Sequence, residues 1–579
     1  MAVVEQGPEL GSEGLSSDGL KRDVGLLGLL WASEGSIIGS GWLFAALVAL
    51  TYAGPSALIG WVIASFIVIL LALVHAELGG LFPVSGGTSR YPHYAFGSLA
   101  GATFGWFAYI QAATVAPIEV LATIQYFSTV SWAHTWYKPP APGVLEGTLS
   151  GAGIAVAVVL MVVFVIINLV GIRWLAHANT GITTWKVIIP LLTIVVLLLT
   201  HFHAHNFSAG GGFFIPGGFG TSAKAILIAI PGAGIVFSLL GFEQAVQLGG
   251  ESAHPQRDLP RAVIGSMLLG AGIYILLQFA FIGALNPATI THFHTWAGLA
   301  KDNALSAGPF YTVVKVAGLA WLAWILRVDA VISPGGTGLI YLTSASRLSF
   351  GLSKNGYVPQ SFETINRKTK IPVVGVIVSA IIGLMFLLPF PSWASLVDIV
   401  TGASVLMYAG APLALGALRK SKPELARSYR LPGAGVIAPL SFVLANFIVY
   451  WAGWNTVSLL MLVLLIGYVL MYVSGALHLN DHMPKLDWAA SIWIFPYMIG
   501  MTLISYFGSF PAPIAIFSGI GPFKGDIIGG NGDLPLWWDL LVLAVFSLAI
   551  YYLAVRNRLP ESKVDEYVKE VYPPPVETH

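Results

Sequence analysis

Glycines cluster inside two long apolar stretches of this chain, at positions where a helix would otherwise continue. The first stretch contains Gly35, Gly39 and Gly41 in the segment GSIIGSG, and the second contains PGAG at 231–234 followed by Gly241. Each glycine costs about 1 kcal/mol relative to alanine in a helix interior, so both clusters predict a local opening of the helix. Opened backbone offers N–H groups that suit a carboxylate and carbonyl oxygens that suit an ammonium group. A zwitterionic amino acid carries both groups and is the ligand that this chemistry fits best.

Ionisable side chains lie inside two further apolar stretches. Lys186 follows TGITTW in one of them, and Glu119 lies in the other, eight residues after Gln111. Charged groups deep in a bilayer are expensive and are functional candidates by default. Burial disfavours the charged form of a lysine, so we predict that Lys186 exchanges a proton; the alternative is a permanently charged tether to backbone carbonyls. Glu119 is predicted to be a second proton site or a counter-ion, with a structural buried pair as the alternative.

The composition identifies the elements that must hold these residues. Hydrophobic residues make up 56% of the 579-residue chain and charged residues only 9%, against about 25% charged residues in soluble proteins. So few charges cannot cover the surface of a soluble protein of this size. A membrane-crossing helix needs about 20 mostly apolar residues, which predicts an all-α polytopic membrane protein with about fourteen transmembrane helices. They are expected at about 23–50, 55–80, 98–130, 151–171, 178–200, 223–249, 262–286, 315–346, 373–390, 394–418, 435–454, 456–477, 488–509 and 535–556.

The two interrupted helices are predicted to be the first and the sixth of this series. A single glycine-rich helix could equally reflect close packing between helices. Two interruptions five helices apart instead indicate two halves of opposite orientation, which is the arrangement of an inverted repeat with a binding site at the membrane midplane. The predicted organisation is a cytoplasmic tail at 1–22, a core at 23–430 with repeats at about 23–200 and 223–418, four accessory helices 11–14 at 431–556, and a flexible cytoplasmic tail at 557–579.

Lysine and arginine are distributed unevenly between the two sides of the predicted helices. With the N-terminus inside, 21 of the 28 fall in cytoplasmic segments and 5 in outer segments. The remaining two, Lys186 and Arg327, fall within the membrane. An excess of these residues marks the cytoplasmic side, so both termini are expected to face the cytoplasm.

Five segments carry distinctive motifs: GSIIGSGWLF (35–44), VSGGTSRYPHYAFG (84–97), FSLLGFEQAVQLGGES (237–252), HPQRDLPR (254–261) and SASRLSFGLSKNGYVP (344–359). These segments resemble motifs of the amino acid–polyamine–organocation permeases. The resemblance covers about residues 23–430 and implies a five-plus-five inverted repeat of the LeuT-like kind for the first ten helices. A count of fourteen helices is similar to the longer, cationic-transporter-like branch of these permeases.

The resemblance also implies which residues contact a substrate. Gly39, Ser40 and Gly41 would supply donors to the substrate α-carboxylate. The carbonyls of Ile37, Phe237 and Leu240 would accept from its α-ammonium group. The full expected set is Ile37, Ile38, Gly39, Ser40, Gly41, Phe237, Ser238, Leu240, Gly241 and Phe242.

Further roles follow from the same resemblance. It implies that Lys186 lies against the broken part of helix one. Glu243 is expected at a gate, with capping of the half-helix after the second break as the alternative. The expected contributors to the pocket for the substrate side chain are Gln111, Thr114, Thr401 and Ser404.

The predicted function is secondary transport of an amino acid, by proton-coupled uptake and alternating access in the plasma membrane. The predicted partners are the amino acid, protons and the lipid bilayer, with no cofactor and no metal. A proton-independent exchanger or a polyamine carrier is the alternative within transport, and a nutrient receptor that does not transport is the alternative from another class. Ser333 and Thr337 could instead form a sodium site, although the ammonium of Lys186 would compete for the same place.

Motifs of enzymes are absent from the sequence. The chain contains no GxxxxGK[ST] phosphate loop, no HExxH zinc motif and no GxSxG elbow, so neither an ATP-driven pump nor another enzyme is predicted. The net charge of +1 gives no support for nucleic-acid binding, which needs a basic patch. The alternating residues His201, His203 and His205 could hold a metal, but a solvated loop is the favoured interpretation.

Overall fold

The computed structural model describes residues 22–84, 86–138, 147–170, 172–366, 371–388, 392–481, 483–510 and 532–572, and for residues 172–179 and 570 it describes the backbone alone. The predicted N-terminal tail lies outside the described residues up to residue 21, as do residues 573–579 of the other tail. Helices form most of the described chain. This agrees with a chain in lipid, where each backbone polar group must find its partner within the protein.

The first part of the chain folds into seven helices and one small hairpin. The stretch predicted as the first membrane helix is divided in two, and a short helix precedes the third long one. The helices are α1 (Leu26–Ile37), α2 (Gly41–Ala53), α3 (Ala57–Leu81), α4 (Gly87–Phe96), α5 (Ser98–Phe127), α6 (Gly151–Val170) and α7 (Ile172–Thr200). Two-residue strands β1 (Tyr137–Lys138) and β2 (Thr148–Leu149) pair antiparallel between α5 and α6. This short hairpin does not alter the predicted all-α class of the fold.

The middle of the chain contains ten helices, of which three come from the second interrupted stretch. They are α8 (Phe219–Gly232), α9 (Ile235–Ser238), α10 (Glu243–Gln247), α11 (Pro255–Ala284), α12 (Pro287–Phe293), α13 (Asn303–Ala307), α14 (Pro309–Val316), α15 (Ala320–Lys354), α16 (Val373–Leu387) and α17 (Trp393–Ser421). The predicted start of a helix at 315 was wrong. Gly318 has a φ of 76°, a left-handed conformation that glycine adopts readily and that separates α14 from α15.

The last part of the chain contains α18 (Ala434–Trp451), α19 (Trp454–Ala476), α20 (Trp488–Ser491), α21 (Ile494–Phe507), α22 (Leu536–Arg556) and α23 (Glu561–Val571). Helix α23 lies in the tail that was expected to be flexible, and that expectation was wrong for residues 561–571. Val564 and Val571 of this helix are buried, and Lys563 forms an ion pair with Asp487 at 2.5 Å. The apolar side of α23 therefore packs against the body of the protein.

Ten candidate membrane spans occur among the described residues. Nine of them fall on one predicted stretch each, and the first, Gly41–Leu81, runs across the first two predicted stretches. Helices α1, α8 and α16 are apolar as well but shorter. The chain is therefore a polytopic helical membrane protein. Helices α5 and α17 lie at the centre of the helix bundle. In the most apolar 18-residue segment of each helix, 94% is buried, against 28% in α6.

A buried ion cluster fastens one end of the helix bundle. Glu77 near the end of α3 is fully buried and pairs with Arg419 of α17 at 2.5 Å. Arg427, in the segment after α17, lies 3.0 Å from the other carboxylate oxygen, and the backbone N–H of Leu431 donates to Glu77 at 2.7 Å. One carboxylate thus joins α3, α17 and the connection to α18.

Candidate functional site

The first interruption lies between α1 and α2. Helix α1 ends at Ile37, Ile38 adopts φ −92° and ψ 85°, and α2 begins at Gly41. The opened residues 38–40 are buried, so their backbone groups need partners inside the protein.

The second interruption lies between α8 and α10. Gly234 has a φ of 76° and Gly241 has a φ of 137°. Residues other than glycine rarely adopt such positive φ angles. Between them the chain forms the single turn α9. The sequence therefore located both interruptions correctly.

The two interruptions touch each other, and glycine makes this contact possible. A Cβ on Gly241 would lie 2.7 Å from the backbone nitrogen of Ile37, and a Cβ on Gly41 would lie 3.1 Å from Cα of Ser238. At 2.7 Å a Cβ would clash with the backbone, and at 3.1 Å it would fit only if the backbone shifted slightly. The residues predicted to bind substrate in the two helices are thus brought together at one place.

The free donor of the first interruption is held by a carboxylate. The backbone N–H of Ser40 donates to Oε2 of Glu119 at 2.8 Å, and the other oxygen of Glu119 has no hydrogen-bond partner within the described parts of the chain. Glu119 extends from α5 and is fully buried. The start of α2 therefore binds a carboxylate, as the predicted chemistry of opened backbone requires.

The free acceptors of the same interruption are held by donors from three other helices. The ammonium group of Lys186 on α7 donates to the carbonyl of Gly35 and to Oγ1 of Thr337 at 2.7 Å. Thr337 of α15 donates to the same carbonyl at 3.0 Å, and the hydroxyl of Tyr274 on α11 donates to the carbonyl of Ile37 at 2.8 Å. Lys186 thus lies against helix one, in the place that the resemblance implied. Its ammonium group bonds to Thr337, one of the two hydroxyl residues considered for a sodium site.

Glu243 connects the second interruption to its surroundings. Its carboxylate accepts the backbone N–H of Gly241 at 2.8 Å and the hydroxyls of Tyr341 at 2.8 Å and Tyr408 at 2.5 Å. Gln111 donates to it at 3.2 Å. Glu243 therefore satisfies one N–H group of the opened backbone and links it to α5, α15 and α17.

Trp393 covers the side of the site that faces the start of α17. Its indole N–H donates to the hydroxyl of Ser40 at 2.9 Å. Its ring lies 5.5 Å from that of Phe44 and 5.9 Å from that of Phe237. Trp393 is 1% exposed, so this face of the site is closed by aromatic side chains.

A third carboxylate lies beside the site but faces a different set of donors. Asp329 of α15 accepts from the indole groups of Trp42 at 3.1 Å and Trp185 at 2.8 Å. The hydroxyl of Ser333 donates to it at 2.7 Å, which is the pairing expected from residues four apart on a helix. Arg327 instead donates to Tyr311, so these two charged residues of α15 face different neighbours.

The space between the interruptions is small. The cavity has a volume of about 10 Å³, which is about the volume that a single water needs. It must widen before an amino acid can enter. The residues that line it are Ser36, Ile37, Gly39, Val115, Glu119, Phe237, Leu240, Thr337 and Tyr341.

A larger cavity of about 290 Å³ lies between α5, α15, α16 and α19. Its walls are mainly aliphatic and aromatic side chains, including Trp106, Leu352 and Met471. It contacts neither interruption, and it offers no set of charged groups for a zwitterion. The smaller cavity therefore has the chemistry of the candidate site.

Not all of the predicted residues lie in this cavity. Phe242 instead stacks on Tyr408 at 4.7 Å between ring centres. Thr114 and Ser404 donate to carbonyls of their own helices at 2.6 Å each. Thr401 is buried, and its hydroxyl has no partner among the residues that the structure describes.

Sequence reasoning missed several residues of the site. Beside the site, Glu34 could also have been found, because it is an ionisable residue within a predicted membrane helix, the same signal that identified Glu119. Tyr274, Trp393 and Tyr408 gave no local signal, since aromatic residues are frequent throughout this chain. Their roles depend on contacts between helices that are distant in sequence.

Membrane helices that open around a small polar site are characteristic of a secondary transporter. The chain belongs to the amino acid permease family, whose model matches residues 24–495. The resemblance to the amino acid–polyamine–organocation permeases is thereby confirmed.

Three relatives illustrate the range of this similarity. The glutamate/serine transporter AimA of Bacillus subtilis (strain 168) is 35% identical over 93% of this chain and 94% of the relative. The aspartate-proton symporter of the same organism is 34% identical over 94% of this chain and 98% of the relative. Its branched-chain amino acid permease BcaP is 27% identical over 79% of this chain and 94% of the relative.

Proposed function

We propose that this protein takes up an amino acid across the plasma membrane, driven by protons, and that it does so by alternating access. The hydrogen bond from the N–H of Ser40 to Glu119 carries this proposal. It places a carboxylate on the opened backbone, and this carboxylate can itself bind a proton. The names of two relatives, a glutamate/serine transporter and an aspartate-proton symporter, support the same assignment.

The proposed coupling follows from competition between two carboxylates. Ionised Glu119 and the α-carboxylate of a substrate both need the N–H groups at the start of α2. Protonation removes the negative charge of Glu119 and weakens its hold on Ser40, so the substrate can take its place. Proton and substrate then favour each other's binding by the same free energy, as thermodynamic linkage requires.

The α-ammonium group of the substrate would bind on the opposite side of the cavity. The carbonyls of Ile37, Phe237 and Leu240 are the proposed acceptors, since all three residues line it. The carbonyl of Ile37 would accept the ammonium group beside, or in place of, the hydroxyl of Tyr274. Lys186 is the second proposed proton-binding group. Its contacts with Gly35 and Thr337 would change whenever α1 moves, which would link its protonation to the transport cycle.

The proposed architecture is the five-plus-five inverted repeat, with α1–α2 as its first helix and α8–α10 as its sixth. The last four long helices, α18, α19, α20–α21 and α22, would be accessory, giving fourteen crossings. Both termini would face the cytoplasm, as the distribution of lysine and arginine favours. Movement of the interrupted helices against the remaining ones would expose the site to each side in turn.

Uptake by purified protein in liposomes tests the proposal. Liposomes with an alkaline interior are supplied with single radiolabelled amino acids, among them glutamate, aspartate, serine and leucine. We expect at least one to accumulate above its outside concentration and to leave when the pH difference is collapsed. Accumulation without any dependence on the pH difference would contradict proton coupling.

The same preparation separates the alternatives. An exchanger would move labelled amino acid only when unlabelled amino acid is present on the other side. A polyamine carrier would be inhibited more strongly by decarboxylated analogues, which lack the group that the N–H of Ser40 would bind. A receptor would bind substrate saturably and show neither uptake nor exchange.

A further inference from the structure

Glu34 is a buried carboxyl group to which the proposed mechanism gives no role. It lies on α1, four residues before the opened segment, and its carbonyl accepts the N–H of Ile38 at 3.0 Å. The side chain is 0% exposed, and neither carboxyl oxygen has a hydrogen-bond partner among the described residues. An ionised carboxylate without partners is very costly in such a place, so the neutral acid is the stable form there.

The groups around Glu34 do not offer it a direct ion pair. Lys186 of α7 interacts with it electrostatically, but the ammonium group is bonded to Gly35 and Thr337. Tyr274 of α11 also interacts with it electrostatically, but its hydroxyl donates to the carbonyl of Ile37.

The acidic groups of the other neighbouring helices are directed elsewhere. Glu243 of α10 bonds to Gly241 and two tyrosines, one of which is Tyr341 of α15. Asp329 of α15 bonds to Trp42 and Trp185. Glu119 of α5 bonds to Ser40. Glu34 is thus a separate titratable group on the half-helix α1.

The contacts at the start of α1 indicate which movement would expose Glu34 to water. The start of α1 is held by neighbouring segments, since Val24 donates to the carbonyl of Glu251 at 3.0 Å. Nearby, Arg347 of α15 pairs with Glu251 at 2.9 Å. Opening this end of the protein requires these contacts to separate and α1 to move, which would bring water to Glu34.

We propose that Glu34 is a proton-binding site of the transport cycle, held as the neutral acid while this end is closed and ionised when α1 moves away. The O–H bond of the carboxyl group then breaks and the proton passes to entering water. The proposal rests on the proposed function, because it adds a proton to the same cycle. It differs from the roles of Glu119 and Lys186, since Glu34 contacts neither the N–H of Ser40 nor the cavity.

The variant Glu34→Gln tests this site in liposomes. Glutamine has the shape of the neutral acid but cannot release a proton. We expect the number of protons that enter with each substrate to fall by one, and the accumulation ratio under a one-unit pH difference to fall about tenfold. Exchange of labelled for unlabelled substrate should continue. The matched control is Glu363→Gln, whose carboxylate pairs with Lys354 outside the site, and it should behave as the wild type.

An unchanged proton count in Glu34→Gln would overturn the proposal while leaving proton coupling intact. If the wild type itself moves no protons, the proposed function fails instead, so the two failures are distinguishable. Thermal unfolding of the purified variant provides a second measurement. Because glutamine mimics the neutral acid, we expect the same Tm or a higher one. A large loss of stability in Glu34→Gln that Glu34→Asp does not show would mean that the charge of Glu34 is structural, and this would also overturn the proposal.

Discussion

Gly241 lies directly against the backbone of Ile37, so that the two interrupted helices meet at a place where a side chain has no room. A Cβ at Gly241 would be 2.7 Å from the nitrogen of Ile37, and the φ of Gly241 is 137°. Residues of both helices, Ile37 and Gly39 from the first and Phe237 and Leu240 from the second, line a common cavity beside this contact.

The variant Gly241→Ala should therefore impair transport. Its backbone strain is about 1–3 kcal/mol, and relief of the strain separates the two interruptions. We expect substrate affinity to fall about tenfold or more, measured by binding of labelled substrate to purified protein. The control is Gly272→Ala on α11, where a Cβ has nothing within 4 Å. Equal affinity in both variants would contradict the importance of this contact.

The variant Glu119→Gln should reduce the pH dependence of substrate binding. In the wild type we expect affinity to increase as the pH falls, because protonation releases the N–H of Ser40 to the substrate. Glutamine does not titrate, so the affinity of the variant should change less with pH over the same range, with Lys186 and Glu34 as the remaining proposed proton-binding groups. Binding titrations at several pH values give the result. A pH dependence in Glu119→Gln equal to that of the wild type would exclude Glu119 as the competing group.

The variant Lys186→Ala distinguishes a proton-binding lysine from a fixed tether. If Lys186 takes part in coupling, accumulation driven by a pH difference should fail while exchange between labelled and unlabelled substrate survives. Loss of both activities would favour the tether, since the carbonyl of Gly35 would lose one of its two side-chain donors and keep only Thr337. Lys301→Ala, at an exposed position, is the control. Undiminished accumulation in Lys186→Ala would remove this residue from the mechanism.

The variant Glu77→Gln should destabilise the protein without a direct effect on the site. Two arginines near this carboxylate would lose their counter-charge, and removal of one partner from a buried cluster costs on the order of 3 kcal/mol. We expect a lower Tm in detergent. Glu251→Gln breaks a more exposed pair with Arg347, for which a change of about 0–1 kcal/mol is expected. Similar Tm values for the two variants would show that the buried cluster adds no stability.

The docking of α23 should weaken in acid. Burial, with help from Arg90, lowers the pKa of His93 from 6.5 to about 4, and the ring of Tyr567 on α23 lies 4.9 Å away. If release of the helix exposes His93, the released state binds the proton more readily. Docking is then strongest above about pH 6.5 and weakens as the pH falls toward 4.

Introduced cysteines can follow this release, because the chain has no cysteine of its own. Val564→Cys places a thiol in the buried face of α23, and Glu561→Cys places one at an exposed position of the same helix. We expect the labelling rate of the first, divided by that of the second, to rise between pH 7.5 and pH 5.5. A constant ratio would mean that His93 does not control docking.

The main features of the site were predictable because their cause is local. The cost of glycine in a helix is independent of the rest of the fold, so GSIIGSG and PGAG located the interruptions. The position of Lys186 against helix one followed from the family resemblance. The helix at 561–571 could also have been recognised, since Val564, Val568 and Val571 have the spacing of one helix face.

Other features depend on contacts that no local pattern encodes. The pairing of Glu119 with Ser40 joins residues 79 positions apart, and that of Trp393 with Ser40 joins residues 353 positions apart. The small size of the cavity depends on how the two interruptions pack together. Such relationships are set by tertiary packing, which a single sequence does not reveal.

The most direct test of the account is a cryo-electron microscopy structure with the best-transported amino acid bound. We predict that the α-carboxylate lies within hydrogen-bonding distance of the N–H of Ser40 and that the side chain of Glu119 has turned away from it. A substrate bound elsewhere, or a bound substrate with Glu119 still accepting from Ser40, would contradict the account.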